Sequence, residues 1–177
     1  LPHDWLTWRL RGFGPDGASP LGPVLDELVT DRSDASGTGY WSPADGSYDR
    51  ALLTAALGHD AILPRVLRPA EFVTDPDGRR VAPGAGDNAA AAYGLGAAPG
   101  DVVVSIGTSG TVCAISRSPI FDESGTVAGF ADASGNFLPL VATLNAARVL
   151  DVTAALLGVT HTEFSDLALR AAPGAGG

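Results

Sequence analysis

PGAGDNAAAAYGLG, residues Pro83–Gly96, joins a glycine turn to a run of small helix formers and sets an acid at the junction. Gly84 to Ala89 satisfies G-x-G-x-x-A, the turn that brings a dinucleotide pyrophosphate to the free N–H groups and positive dipole of a helix N-terminus. Asp87 puts its own negative charge where that anion would go. The context disagrees as well. RRVAP, ahead of the turn, is short and contains Pro83, and Asp101 precedes its strand where a ribose-binding acid would have to end one. Two readings of Asp87 remain. It caps the alanine-rich helix expected over Asn88–Leu95, or it is a carboxylate held on a glycine turn within reach of a substrate hydroxyl, which is the position of a general base.

Working outward, DVVVSIGTSGTVCAI (Asp101–Ile115) reads as strand, glycine-rich turn, strand, with β-branched residues on both sides of Gly107-Thr108-Ser109-Gly110. Such a turn offers backbone N–H groups and two hydroxyls to an anion. It is not a P-loop, since the chain has no lysine, and Gly110 follows Ser109 directly, so it is not a nucleophile elbow. NFLPLVATL (Asn136–Leu144) predicts another strand, after which Asn145 is expected to cap a helix running to Leu157 and ended by Gly158.

Upstream, Asp4–Arg11 reads as a helix end stopped by GFGPDG, and LVTDRSDASGTGYW (Leu28–Trp41) as turns and caps. Ser47–Leu57 has helical spacing with Gly58 as its stop, and ILPRVLRPAEF is extended and interrupted by proline. TDPDGRR (Thr74–Arg80) is either a hairpin tip or a domain boundary, and the change of character after it favours the boundary.

With 177 residues, 45% of them hydrophobic and 18% charged, the chain is a loop-rich globular protein rather than a disordered one. A net charge of -9, with all basic residues scattered arginines, argues against nucleic-acid or anionic-membrane partners. The single Cys113 excludes an internal disulfide and fits a reducing, cytoplasmic setting. It reads as a buried strand thiol. His3, His59 and His161 show no mutual ligand spacing, so no zinc or other metal site is expected. Trp5, Trp8 and Trp41 read as core or interface residues. Without methionine, and opening on LPHDW, the sequence suggests an internal segment of a longer protein.

LPHDWLTWRLRG, TDRSDASGTGYW, GAGDNAAAAYGLG, SIGTSGTV and TLNAARVLDVTAALLG occur in the order and approximate spacing of the FGGY carbohydrate kinases, and the chain resembles that family over nearly its whole length. The resemblance implies an α/β, actin/Hsp70-like (ribonuclease H-like) fold, incomplete in this chain. Residues 1–79 would close the first, sugar-side domain, and residues 80–177 would open the second, nucleotide-side domain. It further implies transfer of the γ-phosphoryl of ATP, with Mg²⁺, to a ketopentose, D-xylulose being the expected acceptor. Asp87 matches the catalytic base, and Asp87 with Asn88 the sugar contacts. Gly107, Thr108, Ser109 and Gly110 match the turn that holds the ATP phosphates. Ala147 and Asp151 fall where the family lines its nucleotide pocket, and Asp31–Thr38 where it borders the interdomain cleft. The family's other phosphate hairpin, its metal-associated acid and its adenosine segment have no counterpart here, so this segment alone is expected to be weakly stable and inactive. Sugar and ATP are the expected partners, and a homodimer of the longer protein is left open. The alternatives are an FGGY kinase for another acceptor such as glycerol, ribulose or gluconate, and a nonenzymatic actin/Hsp70-like nucleotide-binding module, which would need no sugar-facing Asp87. A sugar-binding relic that has lost ATP chemistry would not need the intact turn.

Overall fold

The computed structural model describes residues 1–176, which fall into two compact units. One comprises Leu1–Val103 and Cys113–Leu140; the other comprises Val104–Val112 and the chain from Val141 onward. The units follow no single cut in the sequence.

In the first unit, α1 (Pro2–Leu10) carries proline in its first turn, where the missing N–H has no helical partner to lose. It ends just ahead of Gly12, whose φ of +89° suits a residue without Cβ. Trp8 is buried and its indole N–H donates to the Val24 carbonyl at 2.8 Å. Trp41 is also buried, whereas Trp5 is 56% exposed, which leaves it the interface half of the core-or-interface reading.

β1 (Val29–Thr30) leads into α2 (Arg32–Ser36), a single helical turn whose cap is Asp31. Its carboxylate accepts from the N–H groups of Ser33 at 2.7 Å and Asp34 at 3.0 Å. β2 (Trp41–Ser42) and β3 (Ser47–Tyr48) form a short antiparallel pair. The helix read from Ser47 therefore starts later, as α3 (Arg50–Leu57) capped by Asp49, and stops at the left-handed Gly58 as expected. β4 (Arg65–Val66) returns parallel to β1. Thr74–Arg80 is the turn of an antiparallel hairpin between β5 (Val73–Thr74) and β6 (Arg80–Val81).

α4 (Asp87–Gly94) is capped by Gly86. It turns Ala89 and Ala92 onto Cys113, Ile115, Leu138 and Leu140, with Ala85 and Val103 packed alongside. Positions 89 and 92 share one helical face, and their small side chains let the helix backbone come close to the sheet. That sheet has the order β7 (Val102–Ile106), β8 (Gly110–Ala114), β10 (Phe137–Thr143), β9 (Ala128–Ala131), with Phe137 opposite Ala131 in an antiparallel pair. Leu138 and Leu140 point one way from β10, as the period of two requires. Cys113 is a buried strand thiol, and burial pushes its ionisation up, as befits a packing group.

The second unit holds α5 (Ala147–Leu157) and α6 (His161–Leu169). Thr160 and Glu163 close a reciprocal capping box on α6. Gly158 ends α5 as read, but its N-cap is Ala146 and not Asn145. The Ala146 and Ala147 N–H groups donate to the carbonyls of Thr108 and Gly107, so backbone from another segment does the work expected of the Asn145 side chain. Among the described residues no helix is long and apolar enough to cross a membrane.

Candidate active site

Gly86 fixes the first site. Its backbone is extended, at φ −63° and ψ 156°, a conformation open to any residue, so what favours glycine here is space rather than backbone. A Cβ there would stand 3.0 Å from the Asp34 carboxylate. The Gly86 N–H donates to Ser33 Oγ at 2.9 Å, and the Ser33 hydroxyl donates in turn to the buried Asp31.

α2, which carries Ser33, is itself anchored. The Ala131 N–H donates to Ser36 Oγ at 2.9 Å, and the Arg32 guanidinium donates to the Asp132 carboxylate at 3.2 Å and lies 5.9 Å from the Phe137 ring centroid. Burial lowers the Arg32 ionisation, and the Asp132 charge opposes that.

Asp87 is thus the first residue inside α4 rather than its cap. Its Oδ1 accepts from the Asn88 N–H at 2.8 Å and from the Asn88 side-chain amide at 3.1 Å, so it still takes up one free N–H of the first turn. Asp87 is exposed and Asn88 half-buried. Together with Ser33 and Asp34 they form the polar side of a cleft of about 270 Å³, whose other wall includes Phe130 and Leu138. An apolar wall facing a few convergent polar groups is the usual make-up of a small-molecule site.

His3 joins this neighbourhood from α1. Its Nε2 lies 3.0 Å from Asp4 Oδ1, 3.3 Å from Asp31 Oδ1 and 3.7 Å from Asp34 Oδ2. No directed hydrogen bond forms at Nε2 or at the first two oxygens, so these are close approaches that become ion pairs only with a protonated imidazole. His3, Asp31 and Asp34 present donor atoms within 4.8 Å of one another, close enough to share a cation, and an imidazolium meets the same electrostatic need. Burial raises the Asp34 carboxyl to about 6, the Asp31 charge and hydrogen bond add to this, and His3 opposes it.

The second site is the turn between β7 and β8. Three residues cannot make a parallel crossover, so the two adjacent strands form a hairpin. The Gly107 N–H donates to the Ser109 carbonyl at 2.9 Å. The carbonyls of Gly107 and Thr108 accept from Ala147 at 2.8 Å and Ala146 at 3.0 Å, while Thr108 and Ser109 are exposed. Gly110 is buried, and a Cβ on it would stand 3.1 Å from both Ala146 Cβ and Thr143 Cγ2. Asp151 lies further along α5, its Oδ1 3.5 Å from His161 Nε2. The expected residues therefore gather in two places: Asp87 with Asn88 in the first unit, and Gly107, Thr108, Ser109 and Gly110 with the start of α5 in the second.

The Ser33–Gly86 link and the His3 cluster were not read from the sequence. The Asp31–Ser33 spacing signals a cap, but nothing local points from Ser33 to Gly86.

No family model matches the chain. It is 48% identical over 168 residues to a xylulose kinase of Streptomyces rubiginosus, covering 90% of this chain and 32% of that protein. The crystal structure of xylulose kinase from Bifidobacterium adolescentis matches it with a TM-score of 0.84 and 45% identity, over 98% of this chain and 39% of that one. The chain is a homologue of the xylulose kinases. Its structural neighbours are FGGY sugar kinases of the actin/Hsp70-like fold, and this chain matches a part of that architecture. Gluconate kinase from Lactobacillus acidophilus, at 22% identity and a TM-score of 0.73, shares the fold. The chain spans about a third of the length of the curated relatives it matches.

Proposed function

We propose that this chain supplies the proton acceptor and one phosphate-binding turn of an ATP-dependent kinase that converts D-xylulose to D-xylulose 5-phosphate. Asp87 takes the proton of the terminal sugar hydroxyl, the oxygen so released attacks the γ-phosphorus of ATP, and ADP leaves. Asn88 holds the sugar beside Asp87. Gly107, Thr108, Ser109 and Gly110 receive the phosphates through backbone N–H groups and hydroxyls. Mg²⁺ neutralises phosphate charge in such transfers, and no residue of this chain is assigned to hold it. In this reading residues 1–79 belong to the sugar-side domain and 80–177 to the nucleotide-side domain.

The supporting observation is the placement of Asp87: an exposed carboxylate on a turn locked by Ser33 and Asp34, at a cleft with room for a small polyol. Phosphoryl transfer asks little covalent chemistry of a protein, so a fixed acceptor and fixed phosphates are what it must provide. A nucleotide-binding module without transferase activity would have no use for that carboxylate.

The test is a substrate panel of D-xylulose, ribulose, glycerol and gluconate on the full-length protein that carries this segment, with Asp87→Asn beside the wild type. D-xylulose is expected to give the highest kcat/KM, and Asp87→Asn to lower kcat by about 10²- to 10⁴-fold with sugar binding retained. A variant with wild-type kcat removes Asp87 from the base role, and preference for another acceptor reassigns the substrate.

A further inference from the structure

We infer that Ser33 is a positioning residue for Asp87, acting through the N–H of Gly86; the inference rests on the base role of Asp87. A helix start is often locked by a capping box, in which the side chain at the third helical position reaches back to the N–H of the cap residue. In α4 that position is Ala89, which has nothing to reach with. The Gly86 N–H is taken instead by Ser33 Oγ at 2.9 Å, from 53 residues upstream. Ser33 is 7% exposed and its hydroxyl works in both directions. Its single proton goes to Asp31, which turns its lone pairs to Gly86.

From the other side, a Cβ on Gly86 would stand 3.0 Å from the Asp34 carboxylate, a contact tight enough that one of them must shift. α2 therefore holds the turn by one hydrogen bond and one steric wall, and α2 is in turn pinned to β9 by Ser36. Asp87 is exposed, and the hydrogen bonds of its carboxylate run to its own neighbour Asn88, so the backbone at Gly86 decides where that carboxylate stands. Losing the Ser33 hydroxyl frees the turn and lets the base drift from its acceptor, a displacement to which reaction rates respond steeply.

The experiment compares wild type, Ser33→Ala, Ser33→Thr, Gly86→Ala and Asp87→Asn in the full-length protein. It measures kcat per folded molecule, KM for D-xylulose and Tm. Ser33→Ala is expected to lower kcat by about 10- to 100-fold with the sugar KM little changed, and Ser33→Thr, which keeps the hydroxyl, to restore most of it. Gly86→Ala keeps the N–H but crowds the same turn by setting a Cβ 3.0 Å from the Asp34 carboxylate; it is expected to displace Asp87 and repeat the kcat loss, which keeps the test decisive if Ser33→Ala does not fold. Wild-type kcat in Ser33→Ala or Gly86→Ala, with Asp87→Asn inactive, overturns the positioning role alone. Wild-type kcat in Asp87→Asn overturns the base role and this inference with it.

Discussion

Asp34 borders the same cleft as Asp87 and sits among like charges, which gives the neighbourhood a pH dependence of its own. Its carboxyl is raised from 3.8 to about 6 by burial, with Asp31 and Asp4 adding to the shift and His3 opposing it. A raised carboxyl means that the folded state holds its proton more tightly than the unfolded chain. The stability this contributes is fully present below 3.8 and is lost as pH rises through about 6. Asp34→Asn carries no such charge. Its Tm is expected to fall less than that of the wild type across that window, and parallel Tm profiles for the two proteins would count against a raised Asp34. Asp87 was legible from its glycine turn because an acid in place of a phosphate is a local anomaly. The His3, Asp4, Asp31 and Asp34 cluster was not, since α1 and α2 meet only in the folded chain and no spacing in the sequence announces it.

At the scale of elements, the β7–β8 hairpin and α5 depend on each other. The first N–H groups of α5 are satisfied by the turn carbonyls, and Gly110 leaves space for Ala146 and Thr143. Gly110→Ala puts a methyl into contacts of 3.1 Å, and overpacking of this kind costs about 1–3 kcal/mol. In the full-length protein it is expected to lower Tm and raise KM for ATP with the sugar KM unchanged, as read by steady-state kinetics. A lower Tm with an unaltered ATP KM would make the turn a packing feature only. The hairpin itself was legible because β-branched residues flank a glycine-rich turn, and α4 because alanine favours helix. Asn145 was misjudged as a cap because side-chain propensity says nothing about a carbonyl that accepts from another segment. Pairs as short as β1 with β4 have two residues a strand, too few for periodicity to mark.

Over the described residues, many large apolar side chains stand exposed. Val102, Val104 and Ile106 recur on one side of β7 at 59%, 58% and 67% exposure, and Leu144, just past the end of β10, reaches 91%. Val112, Val141 and Leu150 line a further cleft in the second unit. Contiguous exposed apolar faces of this kind mark surfaces that other polypeptide covers. The Streptomyces rubiginosus relative is about three times as long as the matched stretch, which is ample chain for the purpose. The 177 residues expressed alone are therefore expected to bind a hydrophobic dye such as ANS, to self-associate, and to show no ATP-dependent phosphorylation of D-xylulose, whereas the full-length protein shows turnover and little dye binding. Monomeric, dye-silent behaviour would mean that the apolar faces find each other within the segment, and measurable turnover by the segment would mean that Asp87 and the Gly107–Gly110 turn suffice without the remaining phosphate and sugar contacts.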